Sequence, residues 1–352
     1  MSAKKSIGEF RQQPLFTRYR PSVDAYIQTF LSQEAEQSEP MLSYHMGYKN
    51  SAGEHASNSF DGKGIRPTLA LLTADALGGD WEALTPVAAA LELFHNFTLI
   101  HDDIQDGDEK RHGKPTVWTT WSLGQGVNAG DSMSYISTLA LLQLTKAEIP
   151  ADNIVKAADR LTRCGIQVIN GQIRDLNFED RLDVTLDEYF EMISRKTGAL
   201  LETSMMIATD LVDTEAQKKE HLSTFGKKIG RAFQISDDIL GIWGDEDNTG
   251  KKSYGDIVRK KKSLPIILAL NSPDSEKAGV LKNIYAQDKA ELAPHEVATT
   301  LAILEDLKVK EEAEQLLDAA YNEAVVAAKA ANLGWAEKDF ILAASLLSHR
   351  NK

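Results

Sequence analysis

Glu92–Thr116 reads ELFHNFTLIHDDIQDGDEKRHGKPT, an apolar run at helical spacing that ends in acid and then turns basic. Leu91, Phe94, Phe97, Leu99 and Ile100 make the segment too apolar for an exposed helix. Asp102, Asp103 and Asp106 close it, followed by Lys110, Arg111, His112 and Lys114. Acids at i, i+1 and i+4 share one face of a helix, one turn deep. Near a helix C-terminus the macrodipole disfavours negative charge, so these carboxylates call for a cation. Adjacent acids also make solvated helix faces, and only a buried helix has to neutralise them. A ligand carrying both anionic oxygens and a divalent metal suits an acidic cluster next to a basic one.

The 352 residues are 42% hydrophobic and 26% charged, a composition for a folded soluble protein with a large core. The net charge of −13 argues against nucleic acid or an anionic membrane surface as main partner. A single cysteine, Cys164, excludes an internal disulfide framework and suits a reducing compartment. The N-terminus, MSAKKSIGEFRQQPLFTRYR, has no apolar core of signal-peptide length. No run of about 18 apolar residues predicts a membrane span. The expectation is a cytoplasmic protein without stable membrane insertion.

Outward from the opening stretch, helix follows helix. Residues 1–40 form a poorly defined extension with Pro14, Pro21 and Pro40 as breakers and one short helix, about Ser22 to Glu36. A Ser/Asn/Gly-rich loop leads into GKGIRPTLALLTADALGG (62–79), a buried helix stopped by its two glycines. Helices are predicted over Glu82 to Asp106, Asn128 to Ala147, Asp152 to Glu179, Leu186 to Asp210 and Glu215 to Trp243. A basic loop, a helix over Leu264–Leu270 and an Ala/Leu/Glu/Lys-rich helical third complete the chain. Alternating strand patterns are nearly absent. The fold class is all-α: one domain, 1–352, a large antiparallel bundle.

A second acidic pair, Asp237 and Asp238, ends the apolar run of GRAFQISDDILG, with Asp245 beyond it. Oxygen ligands without a Cys/His cage select Mg²⁺, which keeps waters and shares itself with phosphate. Lys63 and Arg66, three apart at a helix mouth, suit a phosphate. Arg111, Lys196, Lys251 and Lys261 add positive charge near other helix ends. Each alone reads as surface charge; together, interleaved with two acidic clusters, they describe a pocket for more than one polyphosphate. A dimetal carboxylate bundle is the rival, since Glu92-Leu93-Phe94-His95 spells Glu-x-x-His, but that architecture needs the motif twice and one copy is present. His95 lies two turns before Asp102 and reaches the same face.

In sum the motifs GKGIRP (62–67), the acidic stretch with RHGKPT, GQ with Asp175 (171–175), KTG (196–198), FQISDD (233–238), TGK (249–251) and KKSLP (261–265) resemble the trans-isoprenyl diphosphate synthases. The closing Arg350-Asn351-Lys352 is similar to basic ends in that family. The resemblance implies an all-α fold of isoprenoid synthase type around a deep central cavity, and three Mg²⁺ ions. It assigns Asp102 and Asp106 to two ions and Asp237 to the third, with Asp103 and Asp238 in support. Arg111, Lys196 and Lys261 would bind the allylic diphosphate, with Thr197 and Gln234 close by. Lys63, Arg66 and His95 would bind isopentenyl diphosphate, and Lys251 would help close the site. The implied reaction is head-to-tail condensation of isopentenyl diphosphate with dimethylallyl, geranyl or farnesyl diphosphate, in a homodimer.

Three positions depart from the family pattern. His112 stands where a second arginine is usual, a pH-dependent partner for isopentenyl diphosphate. Gly64 replaces a frequent arginine. Gly241 stands where the second motif commonly has its third acid, and Asp245, one turn on, is a candidate substitute through water. Phe97 and Thr98, just before Asp102, mark the floor that limits product length in the family. An aromatic there, without an insertion in the acidic motif, resembles enzymes stopping at twenty carbons, geranylgeranyl diphosphate. Farnesyl and longer-chain synthases are the alternatives, as are a terpene cyclase of the same fold and a non-catalytic partner subunit. Intact Asp102, Asp103, Asp106, Asp237 and Asp238 argue against the subunit, and Lys63, Arg66 and His95 against the cyclase.

Overall fold

The structure is a computed structural model and describes residues 13–56, 62–244 and 254–348. Lys251, Asp245, the TGK stretch and Arg350-Asn351-Lys352 lie outside the described residues. The all-α expectation is borne out. In chain order the helices are α1 (Pro14–Glu34), α2 (Glu39–His45), α3 (Ile65–Ala76) and α4 (Thr85–Gln105). A two-stranded hairpin, β1 (Lys110–Arg111) and β2 (Lys114–Pro115), comes next. Then follow α5 (Val117–Thr120), α6 (Leu123–Leu142), α7 (Ala151–Phe178), α8 (Leu186–Ile193), α9 (Ala199–Leu211) and α10 (Ala216–Trp243). The last six are α11 (Gly255–Val258), α12 (Leu264–Leu270), α13 (Ser275–Tyr285), α14 (Pro294–Asp306), α15 (Val309–Ala330) and α16 (Glu337–Ser348).

The described residues fall into two compact units. Those of Gly8–Thr162 and Thr203–Glu215 form the first, and those of Arg163–Glu202 and Ala216–Lys352 the second. In the first, α4 is the central helix and packs on α6, α3 and α1. In the second, α10 holds that place against α15, α16 and the turn after α8. Each acidic motif therefore sits on the most heavily packed helix of its own unit, which fixes its backbone.

Two boundaries differ from the sequence reading. Helix α1 starts at Pro14 and runs through Pro21, which was expected to break it. A proline inside a helix forfeits one backbone bond, a cost of about 3 kcal/mol. Burial of Tyr19, Val23, Ile27 and Leu31, each at most 2% exposed, offsets it. The single helix expected over Leu186 to Asp210 is interrupted by a π-helical turn at Ser194–Gly198. That turn carries Lys196 and Thr197 and widens the helix where α7 and α10 cross it. A Cβ at Gly171 would fall 2.4 Å from the Lys196 backbone nitrogen, and one at Gly230 2.6 Å from the Gly198 Cα. Both crossings demand glycine. Helix α3 stops as its Gly78-Gly79 ending predicts: Gly78 is left-handed (φ 81°), and the Gly79 and Gly78 N–H groups donate to the Ala74 and Asp75 carbonyls.

Candidate active site

In the first unit the acidic motif occupies the last turn of α4. Asp102 is half-buried, Asp106 is the exposed C-cap and Asp103 is 1% exposed. Arg111 donates to Asp103 Oδ1 from Nε (2.8 Å) and Nη2 (2.7 Å). Burial raises the Asp103 carboxyl above its usual range and the Arg111 hydrogen bond works against that rise. Its second oxygen, Oδ2, is buried without a hydrogen bond among the described residues. Asp103 thus aims Arg111, and the exposed oxygens of the motif belong to its neighbours. The hairpin that delivers Arg111 turns at His112 (φ 52°) and Gly113 (φ 78°), both left-handed, as a two-residue turn of this kind requires. His112 is exposed at its tip.

The cations before the motif gather around a buried acid. Glu92, 3% exposed, lies in the fields of Arg66 and Arg20 and accepts from Asn96 Nδ2 at 3.4 Å. Burial pushes its carboxyl up to about 7; Arg66 and Arg20 oppose the rise and Asp24 adds to it. Arg20 also donates to the Gly62 carbonyl at 2.8 Å, tying α1 to the loop that carries Lys63. Arg20, Val23, Asp24, Gly64, Pro67, Thr68 and Glu92 line a small pocket there. Gly64 is left-handed at φ 62°, a conformation that favours glycine over the family's frequent arginine. Burial and the charges of Arg66 and Arg111 hold His95 well below the ordinary histidine range, so it is neutral. Phe97, 7% exposed, packs edge-to-face on Phe94 and His101, while Thr98 donates to the His95 carbonyl at 2.7 Å.

In the second unit the pattern changes. Asp237 is half-buried on α10 and Asp238 is 3% exposed. Asp238 accepts three hydrogen bonds from neutral donors: Tyr189 Oη (2.7 Å), Gln234 Nε2 (2.9 Å) and the Leu264 N–H (2.8 Å). Burial pushes it up to about 6; the Lys261 charge lowers it and that of Asp256 raises it. The Gln234 carbonyl in turn accepts from Thr197 Oγ1 at 2.7 Å, and Lys196 Nζ donates to Asp175 at 2.5 Å. Of the adjacent lysines, Lys261 is exposed. Lys262 is buried, donates to the Glu179 carbonyl (2.9 Å) and lies over the Tyr285 ring, with burial lowering it to about 8. Gly241 is buried beneath Asp256, whose carboxylate the sequence reading had not singled out.

Among the described residues no three His, Cys, Asp or Glu side chains converge as a metal cage. The donors are carboxylates, with Asp102 and Asp106 one turn apart and accessible. That set fits Mg²⁺ held by one or two carboxylates and completed by water and substrate phosphate. Sequence reasoning found the acids, the π-turn lysine and Gln234. It missed Tyr189, Arg20 and the role of Glu92, whose partners lie far away in sequence.

A family model described as polyprenyl synthetase matches residues 51–304. The chain is 40% identical over 227 residues to a (2E,6E)-farnesyl diphosphate synthase of Mycobacterium tuberculosis, covering 64% of this chain and 62% of that one. It is 38% identical over 264 residues to a geranylgeranyl diphosphate synthase of the same organism, covering 75% and 73%. The crystal structure of a polyprenyl synthetase from Streptomyces coelicolor superposes with a TM-score of 0.86 at 31% identity, over 95% of this chain and 98% of that one. A geranylgeranyl pyrophosphate synthetase from Pyrococcus horikoshii does so with 0.81 at 28% identity, over 98% of each chain.

Proposed function

We propose, since the chain belongs to the polyprenyl synthetase family, that it is a Mg²⁺-dependent prenyltransferase joining isopentenyl diphosphate head-to-tail to allylic diphosphates. The observation that carries the reading is the division of labour within each acidic motif. In both, one aspartate is buried and committed to the protein, Asp103 to Arg111 and Asp238 to Tyr189, Gln234 and Leu264. Asp102, Asp106 and Asp237 keep exposure and are the residues we assign to three metal ions. Bound Mg²⁺ would supply charge stabilisation to a departing diphosphate.

The chain's own residues supply the rest. Arg111, Lys196 and Lys261 neutralise the allylic diphosphate, with Thr197 and Gln234 fixing the turn that carries Lys196; Lys251 joins them by resemblance. Fixed cations aimed at developing negative charge are worth more than mobile ones, because they need not reorganise. Lys63, Arg66 and neutral His95 take isopentenyl diphosphate, His95 as a hydrogen-bond donor, and His112 adds a weaker contact. The single-domain reading of 1–352 and a cytoplasmic setting are carried forward with this proposal; among the described residues no helix is long and apolar enough to cross a membrane. A second copy of the chain is the protein partner. Tyr135, Leu139 and Leu142 on α6, and separately Ile166, Ile169 and Ile173 on α7, leave exposed apolar faces for it.

For the product we propose geranylgeranyl diphosphate, with Phe97 as the floor and Thr98 beside it. Farnesyl diphosphate is the second reading, favoured by the 40% identity to the mycobacterial farnesyl diphosphate synthase. The test is incubation of purified protein with Mg²⁺, isopentenyl diphosphate and each allylic primer, followed by chromatography of the dephosphorylated products. Twenty-carbon product is expected, and Phe97→Ala should lengthen it. No product from any primer would defeat the catalytic reading; wild-type product beyond twenty carbons would defeat the floor.

A further inference from the structure

Glu92 is a buried acid that belongs to neither acidic motif, and its hydrogen bonds come through Asn96, itself 3% exposed. Asn96 Nδ2 donates to the Glu92 carbonyl at 2.8 Å and to its Oε1 at 3.4 Å. With the amide nitrogen turned to Glu92, the Asn96 Oδ1 must accept, so His45 on α2 donates to it from Nε2 at 3.1 Å. A relay thus runs from α2 through Asn96 to the acid. The other groups that face Glu92 are Arg66 on α3, Arg20 and Asp24 on α1, and Tyr48 after α2. Arg20 and Asp24 pair with each other at 3.2 Å. Arg66, 9% exposed, is therefore the main counter-charge that Glu92 has. A buried cation that compensates one anion cannot fully compensate a second.

We infer that Arg66 serves two anions in turn, the Glu92 carboxylate in the free protein and the diphosphate of isopentenyl diphosphate in the complex, so that binding draws a proton from solvent onto Glu92. The inference rests on the prenyltransferase reading and on its assignment of Arg66. A diphosphate at Arg66 acts on Glu92 as Asp24 already does: a second negative charge disfavours the ionised acid. Burial pushes the Glu92 carboxyl up to about 7, which leaves it close to the exchange at neutral pH. The proton goes onto a Glu92 carboxylate oxygen and returns to solvent when the ligand leaves. The neighbouring histidines do not supply it. Burial and the charges of Arg111 and His112 lower His45 to about 3, and His95 is likewise held neutral. A proton taken up on binding makes affinity fall as pH rises through the free-state value of the group.

The test is the Michaelis constant for isopentenyl diphosphate between pH 6 and 8, at saturating Mg²⁺ and allylic diphosphate, for the full chain and three variants. Titration of the ligand's own phosphate is common to all four proteins, so the comparison cancels it. Relative to Glu92→Gln, the wild-type constant should rise roughly fivefold across that range. The constant for the allylic diphosphate should show no such difference. Asp24→Asn removes a charge that keeps the proton on Glu92 and should move the rise to lower pH. Asn96→Leu removes a donor to the carboxylate and should move it to higher pH. Opposite shifts are not expected of residues that only hold the fold, and they decide the matter even if Glu92→Gln does not fold. A wild-type profile that matches Glu92→Gln overturns the inference, as do shifts in one direction or none. Wild-type protein that gives no product with any primer refutes the prenyltransferase reading itself.

Discussion

The two acidic motifs solve one electrostatic problem in different ways. On α4 the buried Asp103 faces a charged partner, Arg111, whose side chain is 28% exposed. On α10 the buried Asp238 is held by three neutral donors, one of them the Leu264 backbone N–H at the start of α12. One partly exposed arginine and three neutral donors inside a core balance a buried carboxylate by different means. The first motif is built around a single charged partner, and the second around a buried frame that also orients Gln234, Thr197 and the π-turn. Adjacent aspartates look alike in sequence, yet only one of each pair keeps solvent exposure.

The sharpest way to break this comparison is to remove the accessible acids. Asp102→Asn and Asp237→Asn should each lower kcat/KM by about 10²–10³-fold with unfolding midpoints unchanged, as expected for groups acting on transition-state charge. Urea denaturation alongside steady-state kinetics checks both halves. Next comes the buried pair. Asp238→Ala strands three donors and should cost on the order of 3 kcal/mol or more, whereas Asp103→Ala frees a half-exposed arginine and should cost about 1–2 kcal/mol. Equal losses in urea melts would erase the distinction between the two motifs.

A pH experiment probes the acid that only the α4 side carries. The folded-state pKa of Glu92 is raised from 4.5 to about 7, while Arg66, Arg20 and Asp24 face it. The unfolded chain gives up this proton first, so native stability falls as pH climbs from about 4.5 to about 7 and then levels. The full swing is on the order of 3 kcal/mol. Glu92→Gln should reduce the slope in that window, most clearly above about pH 6 where the raised Asp238 carboxyl no longer contributes, as read by urea midpoints at several pH values; an unaltered slope would mean that Glu92 ionises normally. The smallest effect concerns the hairpin tip. His112→Arg should lower the Michaelis constant for isopentenyl diphosphate severalfold, while a left-handed φ limits the stability cost to about 1 kcal/mol. An unchanged constant would remove position 112 from the substrate site.

Much of the site was legible in the chain because its chemistry is local. Asp102 and Asp106, Asp237 and Asp238, Lys63 and Arg66 are close in sequence, and helical periodicity alone places each set on one face. What escaped was non-local. Tyr189 reaches Asp238 across 49 positions, and Arg20 reaches Gly62 across 42. Pro21 signals a stop because propensity is local, while the burial that overrides it is not. The π-turn at Ser194–Gly198 is equally invisible in an apolar pattern; it follows from the close crossings that Gly171 and Gly230 permit.

By itself, then, the sequence determined the all-α class, the helix cores, the two acidic motifs and the family, since each is written in short-range spacing. Tertiary structure alone decided which aspartate of each pair is buried, which lysine of 260–262 is structural, and what stands above Gly241. Those answers depend on which donors and charges meet a carboxylate once water is excluded. A residue's own neighbours in the chain do not carry that information.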